Sequence, residues 1–208
     1  MSLKENESYF SQARVLPVLT PESVAGAVAV SRVLFEAGLR MQEITLRTEW
    51  ALETITALAR ELPELIVGAG SVVRPELGEA AVQAGARFLV SPGLNETLLQ
   101  YASDCRVPFL PGVSTVSESM RVMALGCTAA KLFPADALGG VAFLRCVAAP
   151  LPAMKFCPSG GIDATTAPDY LRLANVLGVG GSWMAPADLV RQSRFAEIRK
   201  LAEQAASL

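Results

Sequence analysis

The chain has 208 residues and a net charge of −2, enough for one domain with a substantial core, and its charge argues against nucleic acid or an anionic membrane as the main partner. Half of the residues are hydrophobic, yet no apolar run reaches the ~18 residues of a membrane span. The polar opening Met1-Ser2-Leu3-Lys4-Glu5-Asn6-Glu7 lacks an apolar signal core, so a cytoplasmic protein is expected.

Histidine is absent, which excludes Ser-His-Asp and Cys-His catalysis and histidine-ligated metals. Any proton transfer falls to Glu, Asp, Lys, Tyr, Cys or water. Cys105, Cys127, Cys146 and Cys157 have no CxxC or metal-ligand spacing and read as reduced thiols.

Taken in order, residues 14–19 read as a first strand. A helix over 21–37 follows, with Thr20 as its cap, Pro21 at its first position and Gly38 after its end. Strand 41–46 and helix 49–62 come next, then strand 65–70 ending in glycine and helix 75–84. Strand 87–91 is closed by Pro92-Gly93, and strand 107–112 follows helix 95–103. Helix 115–125 ends at Gly126. Strand 128–132 precedes a helix opened by Gly139-Gly140. Strands 154–157 and 176–181 flank helix 167–174, and a last helix from Pro186 is broken near Ser193. Residues 1–12 read as an extension or a helix. Strands alternating with helices imply parallel pairing, and eight such units fit a closed (β/α)8 barrel of one domain over 1–208. An open doubly wound sheet has little support, because no GxGxxG follows the first strand.

In such a barrel the functional groups stand at the carboxyl ends of the strands. The chain has four lysines; Lys4 and Lys200 lie near the termini, whereas Lys131 and Lys155 interrupt apolar, strand-like runs. A lysine taken out of water loses hydration of its ammonium form, and the neutral amine can attack a ketone to form a Schiff base. The plainer reading of either residue is a lysine paired with a carboxylate. Glu43, in an apolar strand, is that counter-ion or a general acid/base. Arg47 offers a planar fork suited to a carboxylate, or a surface partner for Glu49 or Glu53. Gly-Gly pairs after the last two strands, 160–161 and 180–181, with Ser159 and Ser182 beside them, occupy the usual phosphate position of such barrels.

Seven motifs then follow in fixed order: Glu43-Ile44-Thr45-Leu46-Arg47-Thr48, Val67-Gly68-Ala69-Gly70-Ser71-Val72, Ser91-Pro92-Gly93, Pro111-Gly112-Val113-Ser114-Thr115, Lys131-Leu132-Phe133-Pro134-Ala135, Phe156-Cys157-Pro158-Ser159-Gly160-Gly161-Ile162 and Gly180-Gly181-Ser182-Trp183. Together they closely resemble the bacterial 2-keto-3-deoxy-6-phosphogluconate (KDPG) aldolases, also described as 4-hydroxy-2-oxoglutarate aldolases, from about Arg14 to the C-terminal helix.

The resemblance implies a class I aldolase on a TIM barrel, without metal or other cofactor, acting on a 2-keto acid phosphate, releasing pyruvate and assembling as a homotrimer. It implies Lys131 as the Schiff-base lysine and Glu43 as the proton shuttle. Arg47 and Ser71 would bind the pyruvate carboxylate, and Pro92 and Phe133 would pack around the pyruvyl part. Gly160, Gly161, Gly181 and Ser182 would receive the phosphate, and Lys155 has no role. Ser71 and Ser159 stand where many members have threonine. The hydroxyl at 159 favours the gluconate-type over the galactonate-type substrate. The alternatives are an aldolase for the galactonate epimer and a phosphosugar isomerase or epimerase using Glu43 as base.

Overall fold

Strand and helix alternate along the chain because short apolar runs alternate with amphipathic ones, each pair separated by a cap or a glycine. The structure is a computed structural model and describes residues 6–208. A short helix α1 (Asn6–Phe10) leads into β1 (Val15–Leu19), α2 (Val24–Glu36), β2 (Met41–Thr45), α3 (Ala51–Glu61), β3 (Ile66–Gly70) and α4 (Pro75–Gln83). Then come β4 (Leu89–Val90), α5 (Glu96–Asp104), β5 (Phe109–Leu110), β6 (Gly112–Val113), α6 (Val116–Ala124) and β7 (Ala129–Leu132). The last part holds α7 (Gly140–Ala148), β8 (Lys155–Phe156), α8 (Ala167–Leu171), β9 (Val179–Gly181), α9 (Ala187–Arg191) and α10 (Phe195–Ala206). No helix among the described residues is long and apolar enough to cross a membrane.

The starts of the helices have local causes. Thr115 and Glu118 form a reciprocal capping box on α6. Asn95 caps α5 through the Leu98 amide, and Pro75 occupies the first turn of α4. The first long helix begins later than its sequence suggests. Ser23, not Thr20, is its cap, accepting from the Gly26 amide, because the Thr20 hydroxyl is engaged with Thr45 at 2.8 Å. The strand expected over 107–112 is divided at Pro111, which has no N–H to give to a ladder.

Every strand pairing is parallel. The strands form a curled α/β arrangement of a six-stranded sheet, β5-β4-β3-β2-β1-β9, and a three-stranded one, β6-β7-β8. Strands β5 and β6 belong to one run of chain, and parallel bridges Phe156–Val176 and Ser159–Gly180 tie β8 to the segment containing β9.

Alternation along the strands creates two layers on one sheet face. Leu16, Met41, Phe88, Val90, Leu110, Ala129 and Cys157 form an apolar cluster together with Phe10 of α1. Two residues further along three of these strands stand Val18, Glu43 and Lys131. The larger apolar cluster lies between strands and helices. Phe10 and Phe88 meet edge to face at 5.6 Å, so α1 seals the bottom of the apolar layer. The remainder of the N-terminal extension, residues 1–5, lies outside the described residues.

Asn6 explains why a helix this short stays in place. It is 1% exposed. Its side-chain amide donates to the Phe109 carbonyl at 2.7 Å and to Cys127 Sγ at 3.6 Å, and it accepts from the Phe109 amide at 3.4 Å. A side chain thus pairs strand groups at the foot of β5, beside the start of β7. Asn6→Ala should leave those buried groups unpaired and cost about 1–3 kcal/mol. Urea unfolding reads this as a lower midpoint at unchanged slope; an unmoved midpoint would show that the Asn6 hydrogen bonds add nothing to stability.

Candidate active site

Lys131 projects from β7 and Glu43 from β2, and Lys131 Nζ donates to Glu43 Oε1 at 3.3 Å. The side chains are 9% and 2% exposed. The pair lies two residues along the strands from the apolar layer, so it rests on that layer and faces the strands' carboxyl ends. Lys131 Nζ also lies 5.4 Å from the Phe133 ring centroid, within cation–π range. The carboxylate of Glu43 rises over Gly70, where a Cβ would come within 1.9 Å of Oε1. Only glycine at 70 leaves room for the carboxylate.

Lys131 and Phe133 line a cavity of about 540 Å³. Its walls come from the carboxyl ends of β7, β8, β9 and β1, from Arg47 after β2, and from α2 and α9 with the residues that cap them. Arg47 Nε donates to Ser71 Oγ at 2.8 Å. No ion pair among the described residues involves Arg47, so the surface salt bridges open to it in sequence are not formed. Its remaining guanidinium N–H groups are available to an anion. Ser71 adopts a left-handed backbone, φ 58°, and holds the arginine without lining the cavity itself.

At the other end stand Ser159, Gly160, Gly161, Gly181 and Ser182. Gly160 and Gly161 have φ of 96° and 81°, a conformation costly for other residues. Ala135 and Asp136 amides donate to the Ser159 and Gly160 carbonyls at 2.9 and 3.0 Å, turning this loop's carbonyls away. Among the described residues the amides of Gly160, Gly161 and Ser182 donate to no backbone or side-chain acceptor. Free amides at a concave glycine-rich wall form an anion cradle.

Pro92 does not line this cavity. It packs against Gly112, whose added Cβ would lie 2.3 Å from the Pro92 carbonyl, and Ser91 pins the turn by accepting from the Gly112 amide and donating to the Gly93 carbonyl. Lys155 is also elsewhere, donating to the Ala174 carbonyl at 3.0 Å. Sequence reasoning did not single out Thr20, Gly70 or the Glu22–Arg191 pair across the mouth, 3.4 Å. Thr20 carries the same signal as Ser71, a hydroxyl just after a strand, but its place before Pro21 made it a helix cap. Cys157 is buried below the lysine, and burial pushes its thiol up to about 12 against the opposing charge of Lys131. It stays a neutral thiol beside the pair. Among the described residues no group of three or more His, Cys, Asp or Glu is placed to hold a metal ion.

Fold and site together define the class, a parallel α/β protein with a buried lysine–glutamate pair beside a cavity. A family model described as KDPG and KHG aldolase matches residues 6–201. The KHG/KDPG aldolase of Escherichia coli (strain K12) is 44% identical over 199 residues, covering 96% of this chain and 93% of that protein. The crystal structure of KDPG aldolase from Legionella pneumophila, with pyruvate captured at low pH as a covalent carbinolamine intermediate, superposes with TM-score 0.92 at 35% identity, over 95% of this chain and 96% of that one. The KDPG aldolase of Zymomonas mobilis ZM4, solved with 3-phosphoglycerate, has TM-score 0.92 and 38% identity, over 99% and 97%. The chain belongs to the KDPG and KHG aldolase family and is an aldehyde-lyase.

Gly70→Ala tests how tightly the carboxylate is placed. The new methyl must displace Glu43, and a misplacement near 1 Å should lower turnover about 100-fold. Wild-type turnover in a folded Gly70→Ala protein would mean that the position of Glu43 is not critical.

Proposed function

We propose that Lys131 is the Schiff-base lysine and Glu43 the proton shuttle in cleavage of KDPG to pyruvate and glyceraldehyde 3-phosphate, with 4-hydroxy-2-oxoglutarate as a second substrate. The observation that carries this reading is the buried 3.3 Å contact between Lys131 Nζ, which lines the cavity, and Glu43 Oε1. The carbinolamine captured in the Legionella pneumophila relative supports it. Arg47, oriented by Ser71, receives the 2-keto acid carboxylate, and Phe133 packs on the pyruvyl carbons. Pro92 acts from behind, by fixing the turn against Gly112. Gly160, Gly161, Gly181 and Ser182 receive the phosphate, and Ser159 faces the sugar chain. The 3-phosphoglycerate in the Zymomonas mobilis relative carries a carboxylate and a phosphate, the two kinds of anionic group on the proposed substrate.

The steps follow from the pair. Glu43 takes a proton from the lysine ammonium, and the free amine attacks the C2 ketone to give a carbinolamine. Glu43 returns the proton to the departing hydroxyl, water leaves, and a protonated imine remains. The C4 hydroxyl gives its proton to Glu43 through a water. The C3–C4 electron pair flows into the imine, releasing glyceraldehyde 3-phosphate and leaving an enamine. Glu43 protonates the enamine at C3, and water hydrolyses the resulting imine to pyruvate and free Lys131. The imine supplies the electron sink, so one amine and one carboxylate carry every step.

The whole chain then acts as one closed (β/α)8 barrel domain, the β5–β6 run and the β8–β9 bridges joining the two sheets. We also infer a cytoplasmic homotrimer. Exposed Trp50, Leu52, Val73, Val116 and Met120, on segments following β2, β3 and β6, offer the apolar surface that a subunit contact buries.

Borohydride reduction with pyruvate should leave one reduced pyruvyl adduct, mapped to Lys131 by peptide mass. Lys131→Ala should lose both adduct and turnover while keeping its circular dichroism. Glu43→Gln should lower turnover by about 10²–10⁴-fold and retain part of the pyruvate binding. An adduct on another residue, or normal turnover in either variant, would remove that residue from its role. For the assembly, light scattering should report a trimer for the wild type and a smaller species for Met120→Lys; identical masses would place the interface elsewhere.

A further inference from the structure

Thr20 and Thr45 share a hydrogen bond of 2.8 Å between their hydroxyl oxygens. Thr45 is fully buried, with 0% exposure, and Thr20 is its hydroxyl's only partner among the described residues. A buried hydroxyl hydrogen without an acceptor is costly. Thr45 therefore donates and Thr20 accepts. The Thr20 hydroxyl, which lines the cavity, keeps its own hydrogen and one lone pair for a ligand.

The strand order says which part of a ligand that is. Strand β1 lies between β2 and β9. Beyond β2 stands Arg47, at the carboxylate end; on and after β9 stand Gly181 and Ser182, at the phosphate end. Val18 is in register with Glu43, and Leu19 with Ile44, so Thr20 stands beside Thr45. Thr45 is in register with Gly70, over which the Glu43 carboxylate lies. Thr20 is thus level with the proton-transferring carboxylate and displaced from it toward the phosphate loops. A chain running from C2 at Lys131 to a phosphate at C6 carries hydroxyls at C4 and C5. Glu43 serves the C4 hydroxyl, and the next hydroxyl toward the phosphate is the one on C5.

We propose that Thr20, oriented by the buried Thr45, hydrogen-bonds the C5 hydroxyl of the substrate and is a specificity-determining residue for the aldehyde half. The proposal rests on the function given above. It turns the β1 wall, between Arg47 and the glycine loops, into a reader of the hydroxyl next to the phosphate-bearing carbon.

The test compares two aldehydes in condensation with pyruvate: D-glyceraldehyde 3-phosphate and 3-oxopropyl phosphate, which has the same length without the hydroxyl. Thr20→Val should lower kcat/KM for the first about tenfold and leave that for the second at the wild-type value, with Thr20→Ser restoring the first. Exchange of pyruvate methyl protons with deuterated water, which involves no aldehyde, reads the other half of the site and should be equal in all three proteins. Equal losses on both aldehydes, no loss on either, or a matching loss of pyruvate exchange would overturn the role of Thr20. A wild-type protein that exchanges no pyruvate protons would overturn the aldolase mechanism, and the Thr20 proposal with it.

Discussion

The rest of the structure depends on one buried pair of opposite charges. Lys131 and Glu43 are nearly removed from water, and a charge in that position is tolerable only beside its partner. Removing one partner of such a pair typically costs about 3–5 kcal/mol, because the other charge is left uncompensated. The same constraint gives the pair its chemistry. On the proposed mechanism, the contact that holds ammonium and carboxylate together is also the path of the proton, and the neutral amine is the nucleophile. Structure and reactivity make the same demand on geometry, which explains why the surroundings are so constrained. Gly70 leaves space for the carboxylate, and the Phe88 ring lies against Gly68, whose added Cβ would be 2.3 Å away.

That pair is held at its height by the period of the strands. Ala129 and Lys131, Met41 and Glu43, and Leu16 and Val18 are successive same-face positions. The lower member of each belongs to the dry cluster closed by Phe10 and Phe88. A slip of one residue in β7 or β2 would turn Lys131 or Glu43 to the opposite face. The register Val18–Glu43 and Gly112–Lys131 is therefore part of the active site. Helix α1 takes part at a distance. By pairing Phe109 through Asn6 it closes the foot of the sheet below the charges.

Much of this was legible in the sequence, for identifiable reasons. Apolar runs bounded by glycine and proline mark strands, so their order could be read, as could the break near Ser193 that separates α9 from α10. Lys131 stood out because a cation in an apolar strand demands an explanation, and the ordered motifs carried the family. What could not be read depends on partners remote in sequence. Thr20 was assigned as a cap because local chemistry allows it; its actual partner, Thr45, lies on the next strand. The division of β5 from β6 needed knowledge of which strand edge Pro111 faces. Asn6 reads as one polar residue of a charged terminus, and its burial depends on an unpaired strand edge 103 residues away. Ser71 was identified as a site residue, but only the geometry shows that it acts on Arg47, through a left-handed backbone that no residue type announces.

The cavity is also one-sided, and this has a chemical consequence. Its strand-end walls come from β7, β8, β9 and β1, with Arg47 after β2, while the ends of β3 to β6 contribute support such as Ser71 and the Pro92 turn. An anion at the Arg47 end meets a guanidinium without a carboxylate partner. An anion at the opposite end meets uncharged amides of Gly160, Gly161 and Ser182. On the proposed function, the two anionic ends of the substrate are thus held by different means, a cation and a set of fixed dipoles. The cation sits at the end nearer the lysine–glutamate pair. Amides at the far end carry no net charge and so do not compete with Lys131 for the Glu43 carboxylate. In that reading the division keeps the phosphate end electrically quiet toward the lysine–glutamate pair, so that binding the far end of the substrate leaves Glu43 free for the proton transfers proposed for it.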